Sequence, residues 1–105
     1  MDTQKISIPR HEITAFCRRW KVTEFSLFGS VLRDDFRPDS DVDVLVTFAP
    51  DSRVSLFDLV HMEDELKNLF GRDVDLVERA AIEKSENYIR RKSILSNTQV
   101  VYAAG

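Results

Sequence analysis

The length of 105 residues fits one domain, spanning residues 1–105, and leaves no room for a second. Hydrophobic residues make up 43% of the chain and charged residues 31%, and the net charge of −3 argues against direct nucleic-acid binding, which needs many cationic contacts with phosphate. A single cysteine, Cys17, excludes an internal disulfide and favours a reducing compartment. Because the sequence shows no N-terminal signal and no membrane-length apolar run, we expect a cytoplasmic protein with no membrane partner.

The first 48 residues predict helices and strands in alternation. A helix begins near Pro9, which suits a first helical turn, and a strand rich in β-branched and aromatic residues follows over Val22–Phe28. A short helix over residues 30–33 and a polar loop over residues 34–40 lead to the clearest strand, residues 41–48. The first helix carries an apolar stripe made of Ile13, Phe16, Cys17 and Trp20.

A longer helix is predicted over residues 55–70. Ser55 and Asp58 have the spacing of a capping box, and Gly71 suits the stop at the other end. A third strand is predicted over residues 72–77. The apolar stripe of the longer helix consists of Leu59, Met62, Leu66, Leu69 and Phe70.

The rest of the chain predicts a helix over residues 85–95 and a short closing strand over residues 99–102. Helices therefore alternate with strands along the whole chain. This order predicts an α/β (α+β) domain in which a small mixed sheet is covered by helices.

The junction between the first strand and the short helix has the features of a phosphate site. Phe28, Gly29 and Ser30 run from a strand through a glycine turn into a helix. Glycine lets the backbone approach a ligand closely, and the N–H groups at a helix start favour an anion. The Ser30 hydroxyl can donate one more hydrogen bond. Because Gly-Ser turns after strands are common, this signal is weak by itself.

Aspartates on two predicted strands form the second chemical feature. Asp41 and Asp43 flank Val42 on a strand, so their carboxylates share one face and repel unless a cation binds or one is protonated. If the strand of Asp75 is a neighbour, three carboxylates converge and suit two metal ions. Asp73 shares the predicted face of Asp75 and competes for its role. The alternative interpretation is that these acids face solvent.

Together these features resemble the signature of the DNA polymerase beta-like nucleotidyltransferase superfamily. That signature is a Gly-Ser turn, a loop, Asp-x-Asp and an apolar run, and residues 28–46 follow it. Residues 71–77 look like the segment that carries the third acid, and residues 93–95 look like the C-terminal helix of the smallest members. Leu32 and Asp34 depart from the strictest signature, which often has alanine and glycine there.

The resemblance implies a minimal nucleotidyltransferase, since the chain has no room for the acceptor-binding domains of larger relatives. Members of this group pair with a small helical HEPN protein in toxin–antitoxin systems. There the antitoxin can transfer AMP from ATP to a tyrosine of the HEPN RNase toxin. The resemblance further implies ATP as substrate, two Mg²⁺ ions, and these site residues: Asp41, Asp43 and Asp75 for catalysis and metal binding, and Gly29 and Ser30 for the nucleotide. Arg33 is a further candidate for nucleotide binding, since either Arg33 or Arg37 could hold the leaving pyrophosphate. The alternative is that both arginines face solvent.

Other functions stay open. The same fold could neutralise a helical partner by complex formation without catalysis, or the acceptor could be a small molecule or RNA. The full set of acids favours an enzyme, because a pure binder has no need of a repulsive cluster. The basic run over residues 90–92 is typical of a solvated helix face or a partner contact. Homo- and hetero-oligomers both stay open.

Overall fold

The computed structural model describes residues 8–32 and 41–104, and of Ser30 and Leu32 only the backbone. The predicted loop over residues 34–40 and the candidate residue Arg33 lie outside the described residues. The elements, in chain order, are α1 (Arg10–Trp20), β1 (Val22–Phe28), a 3-10 helix (Gly29–Leu32), β2 (Val42–Phe48), α2 (Leu56–Phe70), β3 (Val74–Glu78), α3 (Arg79–Glu83), α4 (Tyr88–Ser96) and β4 (Thr98–Ala103).

The four strands form one mixed sheet in the order β3-β2-β1-β4. β1 pairs antiparallel with β2 and with β4, whereas β2 and β3 are parallel. A parallel pair needs a crossover connection, and α2 supplies it. The predicted fold class, a small mixed sheet covered by helices, is confirmed.

One face of the sheet carries the main hydrophobic core. Alternate strand residues, among them Phe25, Val42 and Val44, pack against α1 and α2 with no more than 1% of their surface exposed. Phe16 of α1 meets Phe25 edge to face, with ring centroids 6.1 Å apart. Cys17 packs in the same core, and burial raises the pKa of its thiol to about 12. The predicted stripes of both helices therefore face this core.

The opposite face of the sheet carries a second, smaller cluster. Phe28 and Leu45 contribute from the strands, Ile82 from α3 and Ile94 from α4. The alternation predicted for residues 41–48 is thus confirmed, because Leu45 lies on the face opposite the valines of β2. The two short helices leave part of this face open.

The ends of α2 are fixed as predicted. The Ser55 hydroxyl accepts from the Asp58 N–H at 3.1 Å, and the Asp58 carboxylate accepts from the Ser55 N–H at 3.0 Å. Gly71 ends the helix with a φ of 70°, in the left-handed region where glycine carries no steric cost. On the neighbouring helix, Trp20 Nε1 donates to Glu65 at 3.2 Å and so links α1 to α2.

Several elements in the second half differ from prediction. β3 begins at Val74 and reaches Glu78. α3 was not predicted, because its five residues are too few to show a helical period. α4 begins at Tyr88 rather than at residue 85, since the Asn87 side chain accepts from the Arg90 N–H at 3.0 Å and caps the helix there. Among the described residues, no helix is long and apolar enough to cross a membrane.

Candidate active site

The turn after β1 brings Gly29 directly against the carboxylate of Asp43. A Cβ placed on Gly29 would overlap Asp43 Oδ2 and lie 3.0 Å from its Cγ. Gly29 also has a φ of 76°, which L side chains rarely adopt. Both the backbone conformation and the close approach therefore require glycine at position 29. The turn predicted as a phosphate site thus lies directly beside Asp43.

Asp43 and Asp75 occupy paired positions on the adjacent parallel strands β2 and β3. They lie on the face of the smaller cluster, which also holds Leu45 and Val77. Asp43 is half-buried and Asp75 is exposed. Neighbouring strands lie about 4.8 Å apart, so two ionised carboxylates at paired positions repel each other and favour a bound cation.

A cavity of about 1060 Å³ opens above these two acids. Its floor comes from the carboxyl end of β1, the glycine turn and the paired acids, and its opposite wall comes from α4 and the residues flanking it. It combines apolar surface with a carboxylate pair, as nucleotide and cofactor sites commonly do. The lining residues are Phe28, Gly29, Asp43, Asp75, Asn87, Ile89, Arg90, Ser93, Ile94, Ser96, Asn97 and Thr98.

The remaining predicted site residues lie at the edge of this arrangement. Asp41 precedes β2 directly, is exposed and does not line the cavity. The backbone of Ser30 continues from the glycine turn into the 3-10 helix. Asp73, the rival of Asp75, also lies outside the lining, and its carbonyl accepts from the Val42 N–H at 2.9 Å. In the described ranges no three His, Cys, Asp or Glu side chains come together as a metal site.

Sequence reasoning missed the contribution of α4 to the cavity. Asn87, Arg90 and Ser93 recur at every third position and line it together with Ile94. Residues three and four apart share one helix face, and the buried Ile94 fixes which face of α4 points inward. The sequence alone did not single out Arg90, because Arg91 is likewise followed four positions later by an apolar residue, Leu95.

The three neighbouring cations of α4 have different surroundings. Arg90 lines the cavity. The Arg91 guanidinium donates to the Ser85 carbonyl at 3.1 Å and lies 5.6 Å from the centre of the Tyr88 ring. Lys92 does not line the cavity and borders a smaller hollow beside it. One charge of the run predicted as a solvated face or a partner contact, that of Arg90, therefore borders the same cavity as the paired acids.

Known proteins share both the sequence pattern and the fold. A protein adenylyltransferase, MntA, from Thermococcus cleftensis is 39% identical over 64 residues, which cover 61% of this chain and 63% of that protein. One chain of a crystal structure of a toxin–antitoxin with AMP-PNP superposes with a TM-score of 0.70 at 18% identity, covering 92% of this chain and 75% of that one.

A second solved structure contains tri-AMPylated HEPN toxin of Shewanella oneidensis in complex with MNT antitoxin. It matches with a TM-score of 0.62 at 18% identity and covers 90% of this chain and 70% of that one. At this identity both structures show that the fold is shared. The chain spans 63% of the length of the Thermococcus adenylyltransferase.

The family assignment itself rests on most of the sequence. The model of the nucleotidyltransferase domain family matches residues 12–101, which include the glycine turn, the strand acids and α4. The paired acids, the glycine turn and the shared fold agree with that match, and the chain belongs to the nucleotidyltransferase domain family.

Proposed function

We propose that this chain is a Mg²⁺-dependent protein adenylyltransferase that transfers AMP from ATP to a tyrosine of a HEPN-type helical partner and so acts as its antitoxin. One observation carries the proposal: Asp43 and Asp75 are paired across β2 and β3 on the floor of a cavity, directly beside the Gly29 turn. The relatives support it, because one is a protein adenylyltransferase and another was solved in complex with its AMPylated HEPN toxin.

The acids suit magnesium in number and in kind. Mg²⁺ prefers carboxylate oxygens and is usually held by one or two carboxylates together with substrate phosphates, rather than by a cage of protein ligands. The pair formed by Asp43 and Asp75 meets that requirement, although three acids are not clustered among the described residues. We assign Asp41, two residues before Asp43, as a further ligand. When bound, the metal would neutralise charge on the phosphates.

The glycine turn is the second part of the proposed site. Gly29 leaves the backbone bare next to Asp43, so a phosphate can approach the main chain where any side chain would block it. The backbone N–H groups of Gly29 and Ser30 open the 3-10 helix and can donate to phosphate oxygens. We assign these two residues to the β- and γ-phosphates, and we propose Arg33 for the leaving pyrophosphate.

The proposed reaction is an in-line displacement at the α-phosphorus. The acceptor hydroxyl oxygen forms a bond to that phosphorus while the bond to the β-phosphate bridging oxygen breaks, and pyrophosphate leaves with the electron pair. The hydroxyl proton passes to the exposed carboxylate of Asp75 or to water. The protein chiefly positions the two reactants and balances charge, and both effects lower the barrier substantially.

A binding function without catalysis is the second candidate. α2 exposes Leu56 at 79%, Phe57 at 80% and Val60 at 60%, an apolar surface that could cover a helical partner. This surface lies on a different helix from the wall of the cavity, so partner binding and transfer can be separated by mutation.

The test uses ATP labelled at either the α- or the γ-phosphate. The full chain is incubated with Mg²⁺ and the product of the neighbouring gene as the candidate partner, and the double variant Asp41→Asn, Asp43→Asn serves as control. We expect label to enter the partner from α-labelled but not from γ-labelled ATP, and with the wild type but not with the double variant. A tight complex that takes up no label from either position would contradict transferase activity and support the binding function.

A further inference from the structure

We infer that Arg90 of α4 binds the phosphate chain of the nucleotide from the wall of the cavity opposite the glycine turn. The inference rests on the proposed function and adds a residue that the signature of turn and acids does not contain. Arg90 lines the cavity that Asp43 and Asp75 also line. Among the lining residues within 8–32 and 41–104, Arg90 is the one with a cationic side chain.

The packing of α4 places Arg90 on the side of the helix that borders the cavity, where the residue is exposed. Ile94 is 7% exposed and packs with Phe28 and Leu45, which lie on the same sheet face as Asp43. Residues i and i+4 lie above one another on a helix, so the anchored Ile94 places Arg90 one turn earlier on the same face. The Asn87 cap, bonded to the Arg90 N–H at 3.0 Å, holds the first turn of α4 in this orientation.

The neighbouring cations differ from Arg90 in their partners. Arg91 is held by the Ser85 carbonyl and the Tyr88 ring, and Arg79 forms ion pairs with Glu24 at 3.1 Å and Glu83 at 3.3 Å. In the described part of the chain, no acidic side chain forms an ion pair with Arg90. Its guanidinium is therefore available to an anionic ligand that enters the cavity.

The charge of the ligand explains why a cation is needed there. A nucleoside triphosphate carries several negative charges into a cavity whose floor already holds two carboxylates, and like charges oppose its entry. A guanidinium presents a planar fork of donors that matches phosphate oxygens and keeps its charge throughout the accessible pH range. Arg90 thus offsets repulsion on the side of the cavity that the acids and the turn do not reach.

The test measures equilibrium binding by titration calorimetry at physiological salt with Mg²⁺. The ligands are ATP, AMP and inorganic tripolyphosphate, and the proteins are the full chain and its variants Arg90→Ala, Arg90→Lys and Lys92→Ala. Lys92→Ala removes one positive charge from the same helix and serves as the matched control. Because a hydrogen bond to a charged group contributes more than a neutral one, we expect Arg90→Ala to weaken ATP and tripolyphosphate binding about 10- to 100-fold.

The accompanying measurements separate phosphate binding from a structural role. We expect Arg90→Lys to restore part of the affinity, AMP to lose less than ATP, and Lys92→Ala to change ATP binding by about fivefold or less. Equal ATP affinity in Arg90→Ala and Lys92→Ala, or an equal loss for AMP and ATP, would overturn the inference.

The same titrations distinguish this inference from the proposed function. A wild type that binds ATP through Arg90 but transfers no label contradicts the transferase and leaves the inference standing. A chain that transfers label with unchanged ATP binding in Arg90→Ala contradicts the inference alone. A wild type that binds neither ATP nor tripolyphosphate contradicts both.

Discussion

The two faces of the sheet are built differently. The face covered by α1 and α2 is closed, and its strand residues Phe25, Val42 and Val44 are almost without exposure. The opposite face has one small cluster, and beside it lies a cavity of about 1060 Å³ that contains the paired acids. The first face supplies most of the burial that stabilises the fold, which leaves the second free to hold charged groups and an open cavity.

The largest effect on stability is expected on the closed face. Phe16→Ala removes a fully buried ring that packs edge to face on Phe25, and such truncations cost about 3–5 kcal/mol of unfolding free energy. Urea unfolding measures the change. Phe57→Ala is the matched control, because Phe57 is 80% exposed and its loss should cost about 0.5 kcal/mol or less. Equal costs at the two positions would remove the distinction between the faces.

The next largest effect is expected on the rate of AMP transfer, at the contact between the glycine turn and Asp43. Gly29→Ala forces a methyl group into the Asp43 carboxylate, and misplacing a reacting group by about 1 Å can lower a rate about a hundredfold. Gly71→Ala is its control, since Gly71 shares the positive φ but has nothing within 4 Å of its added Cβ. We expect both variants to lose some stability and only Gly29→Ala to lose AMP transfer. A fully active Gly29→Ala chain would contradict the close approach.

A substitution in the small cluster is expected to lower stability and also to weaken ATP binding. Ile94→Ala removes the anchor of α4, and we expect a loss of about 2 kcal/mol, near the low end for buried aliphatic truncation because the cluster is small. The KM for ATP should rise as well, since the same anchor orients Arg90. Val60→Ala, at a position that is 60% exposed on α2 and does not line the cavity, is the control for both stability and KM. An unchanged KM in a destabilised Ile94→Ala chain would mean that the anchor does not position the nucleotide.

The smallest effect is expected far from the cavity. Ser55→Ala removes the hydroxyl that caps α2, and such losses cost about 1 kcal/mol. The rate of AMP transfer per folded molecule should not change, because α2 packs on the face of the sheet opposite the cavity. Ser55→Thr retains a capping oxygen and should recover most of the stability in the same unfolding experiment. A fall in transfer for Ser55→Ala would show that the two faces are coupled.

Periodicity predicted what depends on neighbours in the sequence. Two patterns were sufficient to predict buried faces: the stripe of Ile13, Phe16 and Cys17 on α1 and the alternation along β2. They were sufficient because a helix or a strand repeats one geometry along its length. The capping box at Ser55 worked for the same reason, since its contacts span three residues. The expected convergence of Asp41, Asp43 and Asp75 depended on the further assumption that two distant strands are adjacent. The strands are adjacent and pair Asp43 with Asp75, whereas Asp41 does not line the cavity.

The missed features depend on contacts that local pattern does not encode. α3 is held by Ile82 packing in the small cluster rather than by its own periodicity. The placement of β4 beside β1 joins residues from the two ends of the chain. Arg90 could not be distinguished from Arg91 and Lys92 by composition, because only the packing of Ile94 decides which cation lines the cavity.

The most direct test compares Asp75 on β3 with Asp73, which directly precedes that strand. Asp75→Asn and Asp73→Asn make the same chemical change two residues apart, but Asp75 lines the cavity and Asp73 does not. The measurement is the single-turnover rate of labelled AMP transfer with Mg²⁺ and the helical partner. We predict that Asp75→Asn slows transfer about a thousandfold or more, since a metal ligand contributes several kcal/mol to the transition state, while Asp73→Asn stays near wild type. Equal rates for the two variants would contradict the assignment of the paired acids as the active site.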